Sequence, residues 1–188
     1  MAVEHQRPPP VKPQELSRNL TRIVSGVGKD ENNTTIDNIP FHETGLWGAT
    51  TALLWRTSET PSKDSNTGKE LDGAHRPGDR FGGFVNSNGT NFIVQDLAPG
   101  AEVPMHRSNS IDYIIMIKGE VISTGPGEKE EFHIKEGDIL VRKANTHGYQ
   151  NPGPGWARYA VVILDAEPVV VGGEVVPETL PNFDSSTA

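Results

Sequence analysis

The chain has 188 residues, no cysteine, and 17 Lys and Arg against 25 Asp and Glu, for a formal charge of −8. This length suits one domain with tails around a substantial core. The acidic balance, with no basic run, argues against a nucleic-acid surface, and the missing cysteines exclude disulfides, thiolate catalysis and Cys-ligated zinc.

Twenty glycines and 15 prolines favour many turns over long helices. No run is apolar enough to span a membrane and none near the start resembles a signal peptide, so the expected location is cytoplasmic. Residues 1–19 read as a flexible N-terminal arm, opened by the proline-rich MAVEHQRPPPVKPQ. The arm is either disordered or reaches onto a second subunit. Residues 20–27 form a first short strand, with 34–37 pairing back onto it. The segment 49–56, ATTALLWR, reads as strand by its β-branched and aromatic content. Residues 58–80 form a long polar loop containing His75 and Arg76, placed to cover a pocket mouth. Its His75 and Arg76 are either substrate contacts or, as we favour, solvated.

From Phe81 onward the pattern is β throughout. Strands are expected at 81–85, 92–97, 112–118, 120–124, 129–134, 139–143, 147–150 and 157–164, separated by Gly, Pro and Asn turn signals. Short, evenly punctuated strands predict an antiparallel sandwich or barrel. Residues 169–176 add either an edge strand or a dimer face, and 179–188 a frayed end. A single domain over 20–176, with its barrel core at 81–166, leaves 177–188 as a C-terminal tail.

Two stretches carry chemistry. In GAEVPMHRSNSIDYIIMIKG, residues 100–119, a period of two places His106, Ser108 and Asp112 on the same face as Ile114 and Met116. An imidazole and a carboxylate on an apolar inner face need a partner or a ligand. In GDILVRKANTHGYQN, residues 137–151, His147, Tyr149 and Asn151 alternate onto one face. If the two stretches are neighbouring hairpins, His106, Asp112 and His147 converge as a facial triad suited to Fe, Mn, Ni or Zn as divalent ions.

These stretches resemble the paired motifs of the cupin family. Its first motif runs glycine, five residues, His, one residue, His, three or four residues, Glu, six residues, glycine. Gly100, His106, Ser108, Asp112 and Gly119 keep the spacing, with serine in place of the second histidine and aspartate in place of glutamate. Gly137, His147 and Asn151 match the second motif, one residue shorter before the histidine. The signature Met105-His106-Arg107-Ser108 with Asp112-Tyr113 is similar to that of a single-domain subgroup found in fungal natural-product pathways. The resemblance implies an all-β double-stranded β-helix, or jelly-roll barrel, with an extended N-terminal arm. It also implies a homodimer and a small-molecule substrate, while the acidic charge and the lack of a long apolar run lead us to expect no nucleic-acid or membrane partner.

Two chemistries fit these residues. The first is a metal-dependent oxidoreductase or dioxygenase with the divalent metal on His106, Asp112 and His147, and with Ser108 bonded to a metal-bound water. The second uses the same residues as acid–base groups for dehydration, isomerisation, decarboxylation or cyclisation, with Tyr149 as an acid or substrate contact. A non-catalytic ligand-binding module is the third alternative. Arg107, Arg142 and Lys143 read as surface charge, Met105 and Met116 as core or pocket wall, and His133 as structural. No nucleotide or flavin fingerprint is present.

Overall fold

The computed structural model describes residues 20–26, 33–43, 48–66, 72–127 and 131–180. The expected N-terminal arm at 1–19 lies outside them. In chain order the strands are β1 Leu20–Gly26, β2 Asn33–Ile39, β3 His42–Glu43, β4 Ala49–Thr57, β5 Thr90–Leu97, β6 Glu102–His106, β7 Ser110–Lys118, β8 Glu120–Thr124, β9 Glu131–Lys135, β10 Ile139–Lys143, β11 His147–Gln150, β12 Ala157–Asp165, β13 Val170–Val171 and β14 Glu174–Val175. Among the described residues no helix is long and apolar enough to cross a membrane.

Two antiparallel sheets form the barrel. The larger has the order β10-β7-β12-β5-β4-β3 and the smaller β6-β11-β8-β9. From β5 to β8 and again from β9 to β12 consecutive strands fall in alternate sheets, the crossing order of a double-stranded β-helix. Alternation builds the core: along β7, Ser110, Asp112, Ile114 and Met116 are buried, while Tyr113, Ile115 and Ile117 are exposed. Ile114 and Met116 join Leu97, Tyr159 and Val161 from the large sheet and Val103, Val121, Ile134 and Tyr149 from the small one in a single apolar cluster. Burying these side chains contributes about 1.5–3 kcal/mol each before conformational entropy is set against it.

The motif asparagine closes one end of this barrel. Asn151 is buried, and its amide donates to the carbonyls of Leu97, Ala98 and Gly155 at 2.9–3.1 Å. Its backbone N–H donates to Ala101 and its carbonyl accepts from Gly100. One residue thereby pairs with five backbone groups, the carbonyls of Leu97, Ala98, Ala101 and Gly155 and the N–H of Gly100.

Several expectations are corrected. Residues 81–85 are not a strand but a tight turn around Phe81–Gly83, with Gly82 and Gly83 at φ of 62° and 88°. Such angles are costly for most residues and free for glycine. The Gly172-Gly173 pair likewise folds 169–176 into its own two-stranded hairpin, β13–β14, so this segment adds no edge to either barrel sheet. The 58–80 loop holds short 3₁₀ turns at Asp64–Asn66 and Gly73–His75. In it Arg76 is half-buried against Asp64 at 2.6 Å, while His75 is exposed.

The chain after β14 is tied back to the barrel. The backbones of Arg107 and Thr179 pair through two hydrogen bonds of 2.8 and 2.9 Å. The Arg107 guanidinium, 3% exposed, donates to the carbonyls of Val176 and Pro177. Residues 177–179, though exposed, are therefore tied to the domain by hydrogen bonds. A buried cation requires acceptors, and this segment supplies them.

Candidate functional site

The two sheets enclose a cavity of about 70 Å³, several times the ~10–15 Å³ that one water needs. His106, Ser108, Asp112, His147 and Tyr149 all line it. The rest of its wall is mainly apolar, from Phe81, Phe84, Val161, Ile163 and Leu180. No described residue of the 58–80 loop borders it; the Phe81–Phe84 turn and Leu180 do.

His106 ends β6 and His147 begins β11, where they are direct register partners. Their ring centroids lie 4.2 Å apart with the planes tilted by 56°. Each ring is fixed from behind. Nδ1–H of His106 donates to the Pro104 carbonyl at 2.8 Å, and Nδ1–H of His147 donates to the Asn145 carbonyl at 2.9 Å. Because a carbonyl only accepts, the proton sits on Nδ1 and Nε2 keeps its lone pair. Burial lowers the pKa of His106, and it lowers that of His147 much further, with help from His106 and Arg142. Gly148 lets the strands come together here: a Cβ on it would stand 2.9 Å from the Val103 carbonyl oxygen and 3.0 Å from Thr124 Oγ1.

Asp112 lies on the inner face of β7, and its register partner on β10 is Arg142. Burial pushes its carboxyl up to about 6, opposed by a Ser110 hydrogen bond and the Arg142 charge. Ser110 is 2.7 Å from Ser108, so a hydroxyl chain runs from the cavity to this carboxyl. Its Oδ1 has no hydrogen-bond partner among the described residues. Tyr149 is wholly enclosed, and burial raises its hydroxyl to about 12. Its ring meets His147 edge-on at 5.3 Å and Tyr159 at 5.6 Å.

Among the described residues no three His, Cys, Asp or Glu side chains are grouped to hold a metal ion. Two imidazoles with free Nε2 lone pairs suit a divalent cation, but Asp112 shares their cavity without completing a three-donor set. As a metal centre the arrangement falls short of a facial triad. As acid–base equipment it is complete: neutral imidazoles, a carboxyl titrating near 6 and a phenol that keeps its proton, all facing one apolar space.

Other candidates are redistributed. Arg107 and Arg142 are buried, not surface charges, whereas Lys143 is exposed. Met116 is core as expected, but Met105 is 38% exposed, beside Thr124. His133 lies outside the cavity and bonds Glu120 across the β8–β9 pair. The sequence reading missed Gln95 and Tyr159, which line the cavity and bond each other at 2.8 Å. Both stand on strands that had been foreseen, but residues 93–97 and 159–161 are buried without alternation, so the pattern did not single them out. No signal marks Leu180 either.

Comparison with known proteins fits this architecture. The family described as "Cupin domain" matches residues 93–163. A protein named Oryzines biosynthesis cluster protein J, from Aspergillus oryzae, is 36% identical over 99 residues, 52% of this chain and 54% of its own length. The chain thus spans about half the length of the first curated relatives it matches. A longer match, 31% identical over 170 residues, covers 82% of this chain and 78% of the cupin-domain-containing oxidoreductase fogC of Aspergillus ruber. Among solved structures, the polyketide cyclase RemF of Streptomyces resistomycificus superposes with a TM-score of 0.46 at 12% identity, covering 88% of this chain and 85% of that one.

Proposed function

The chain belongs to the cupin family, and on that basis we propose that it is an enzyme of small-molecule biosynthesis that moves a proton on an oxygenated, largely apolar substrate. Relatives named for a biosynthesis cluster or as cupin-domain oxidoreductases support the biosynthetic setting. One observation carries the chemistry: two imidazoles with Nδ1 tied to carbonyls share one largely apolar cavity with the Asp112 carboxyl, which burial pushes up to about 6. A base must be unprotonated at working pH and still basic enough to take a proton. His106 meets this better than His147, whose pKa is driven down further. Nε2 of His106 removes a proton from carbon next to a carbonyl, Asp112 gives or receives the second proton, and Tyr149 O–H holds the carbonyl oxygen. Isomerisation, dehydration and cyclisation all follow from this step.

The test is hydrogen exchange. Aryl ketones of the tetralone type, incubated in D₂O with chelator-treated protein, are expected to gain deuterium beside the carbonyl faster than in buffer. His106→Ala should abolish the gain, typically about 10²–10⁴-fold. Exchange that survives in both His106→Ala and His147→Ala would remove this cavity from the chemistry.

The two free Nε2 atoms favour a second reading, a divalent-metal oxidoreductase with His106 and His147 as ligands and Asp112 drawn in by the ion. Such a metal would supply Lewis acidity or, as iron, dioxygen activation. Equilibrium dialysis against Fe(II), Mn(II), Ni(II) and Zn(II) tests it. Stoichiometric binding lost in His147→Ala would support this reading, and none at micromolar metal would remove it.

A further inference from the structure

Arg142 is 5% exposed on the inner face of β10, yet it does not line the cavity. Its Nε donates to the Tyr149 hydroxyl oxygen at 3.2 Å, Nη1 to Asn145 Oδ1 at 2.9 Å and Nη2 to Ser123 Oγ at 2.5 Å. All three acceptors are neutral side chains. The other buried arginines differ. Arg22 bonds Asp37 and Asp72, whereas Arg56 and Arg107 each bond two backbone carbonyls besides one neutral amide oxygen, of Asn91 and Asn109 respectively. Among the described residues no carboxylate forms an ion pair with Arg142. A buried cation with no carboxylate bonded to it is costly, and this one, which faces Asp112 in register across β7 and β10 and acts on it only through its charge, stands behind Tyr149 in the cavity wall.

Its effect on Tyr149 is directional. With Arg142 occupying a lone pair of the phenol oxygen, the single O–H proton must point elsewhere. Among the described residues it meets no protein acceptor, and Tyr149 lines the cavity. We infer that Arg142 is a positioning residue that acts through Tyr149 to make the cavity select an oxyanion, the oxygen of an enolate or a phenolate. The inference rests on the proton-transfer reading and supplies what that reading lacks. When Nε2 of His106 takes the C–H proton, the C–H electron pair moves into a C=C bond and the carbonyl π pair onto oxygen. That oxygen accepts from Tyr149 O–H in the field of the guanidinium. Donors preset toward developing negative charge stabilise it more than the neutral ground state.

4-Nitrophenol is the probe, because its phenol and phenolate absorb at different wavelengths. Wild type is expected to bind the phenolate in preference and to lower the probe's apparent pKa. Arg142→Met, with the fold confirmed by circular dichroism, should weaken phenolate binding about 10- to 100-fold and leave neutral 4-nitroanisole binding unchanged. Tyr149→Phe keeps the charge but removes the relay, so it should weaken phenolate binding in the same way. Arg142→Lys keeps charge without the fork and should recover only part. Should Arg142→Met fail to fold, the Tyr149→Phe and Arg142→Lys proteins decide. Equal phenolate binding in wild type and the variants, preference for the neutral phenol, or no binding overturns the inference. Arg142-dependent phenolate binding without deuterium exchange would sink the proton-transfer reading and leave the oxyanion site standing. Exchange with no dependence on Arg142 would do the reverse.

Discussion

His106 and His147 face each other as register partners across β6 and β11, with ring centroids 4.2 Å apart. Two imidazoles this close cannot both be cationic without mutual repulsion, and burial already favours their neutral forms.

This fixes the sign of the acid response. Both folded-state pKa values lie below 6.5, so on acidification the unfolded chain takes up these protons first. The stability that the neutral pair contributes is present above pH 6.5 and is lost as pH falls through the folded values. The Hε1 resonances of both rings should therefore stay fixed from pH 8 to 6.5. The acid limb of the deuterium-exchange rate should also lie below 6.5. A ring that titrates at 6.5 or above would contradict the buried geometry.

Asp112 runs the other way. Its folded pKa of about 6 exceeds the ordinary 3.8, so the folded state binds the proton more tightly. The stabilisation from the protonated form is present below 3.8 and is lost as pH rises through 6. Asp112→Asn replaces a carboxylate buried at a cost with a neutral amide. It should raise stability at pH 7–8 by up to about 3 kcal/mol, and the advantage should vanish by pH 4. Thermal melts of the two proteins across that range give the difference directly.

Strands were legible wherever alternation was strict. β5, β7, β8, β10, β11 and β12 fall within a few residues of their expected ranges; inside–outside alternation is strict in β7 and β8, where one face is buried, while β5 and β11 are buried in continuous runs and are bounded by their turn residues. Asp112 holds an inward position on β7 and His147 and Tyr149 hold theirs on β11, whereas His106 ends β6, a strand absent from the expected set, and reaches the same cavity as the register partner of His147. What failed were features set by partners distant in sequence. Arg107 and Arg142 look like surface charges in a linear pattern. Their burial depends on Val176 and Pro177 carbonyls in one case and on Ser123, Asn145 and Tyr149 in the other. The Phe81–Gly83 turn looked like strand because its aromatics match strand composition, while Gly82 and Gly83 set its backbone.

Gly148 offers a geometric test of the paired imidazoles. A Cβ there meets the Val103 carbonyl oxygen at 2.9 Å, and that backbone group cannot rotate away as the Met105 side chain at 3.3 Å can. Gly148→Ala must push β11 from β6 and so part His147 from His106. A loss of about 1–3 kcal/mol is expected from overpacking, together with slower exchange at unchanged probe affinity. A variant with wild-type exchange would show that the ring spacing is not critical.

Arg107 links the motif to the cavity rim. Next to His106 in sequence, it holds the Val176 and Pro177 carbonyls while its backbone pairs with Thr179. The next residue, Leu180, lines the cavity while remaining 51% exposed. Arg107→Ala would strip two carbonyls and Asn109 Oδ1 of their donor, at an expected cost of about 2–4 kcal/mol. Lysine cannot replace the fork, since one ammonium does not span three acceptors in fixed directions. Leu180→Ala leaves the clamp intact and removes only part of the wall. Melting should therefore shift strongly in Arg107→Ala and Arg107→Lys and little in Leu180→Ala. Affinity for an apolar probe such as 4-nitroanisole should fall in all three. Loss of affinity in Leu180→Ala alone would mean that the rim holds its place without Arg107.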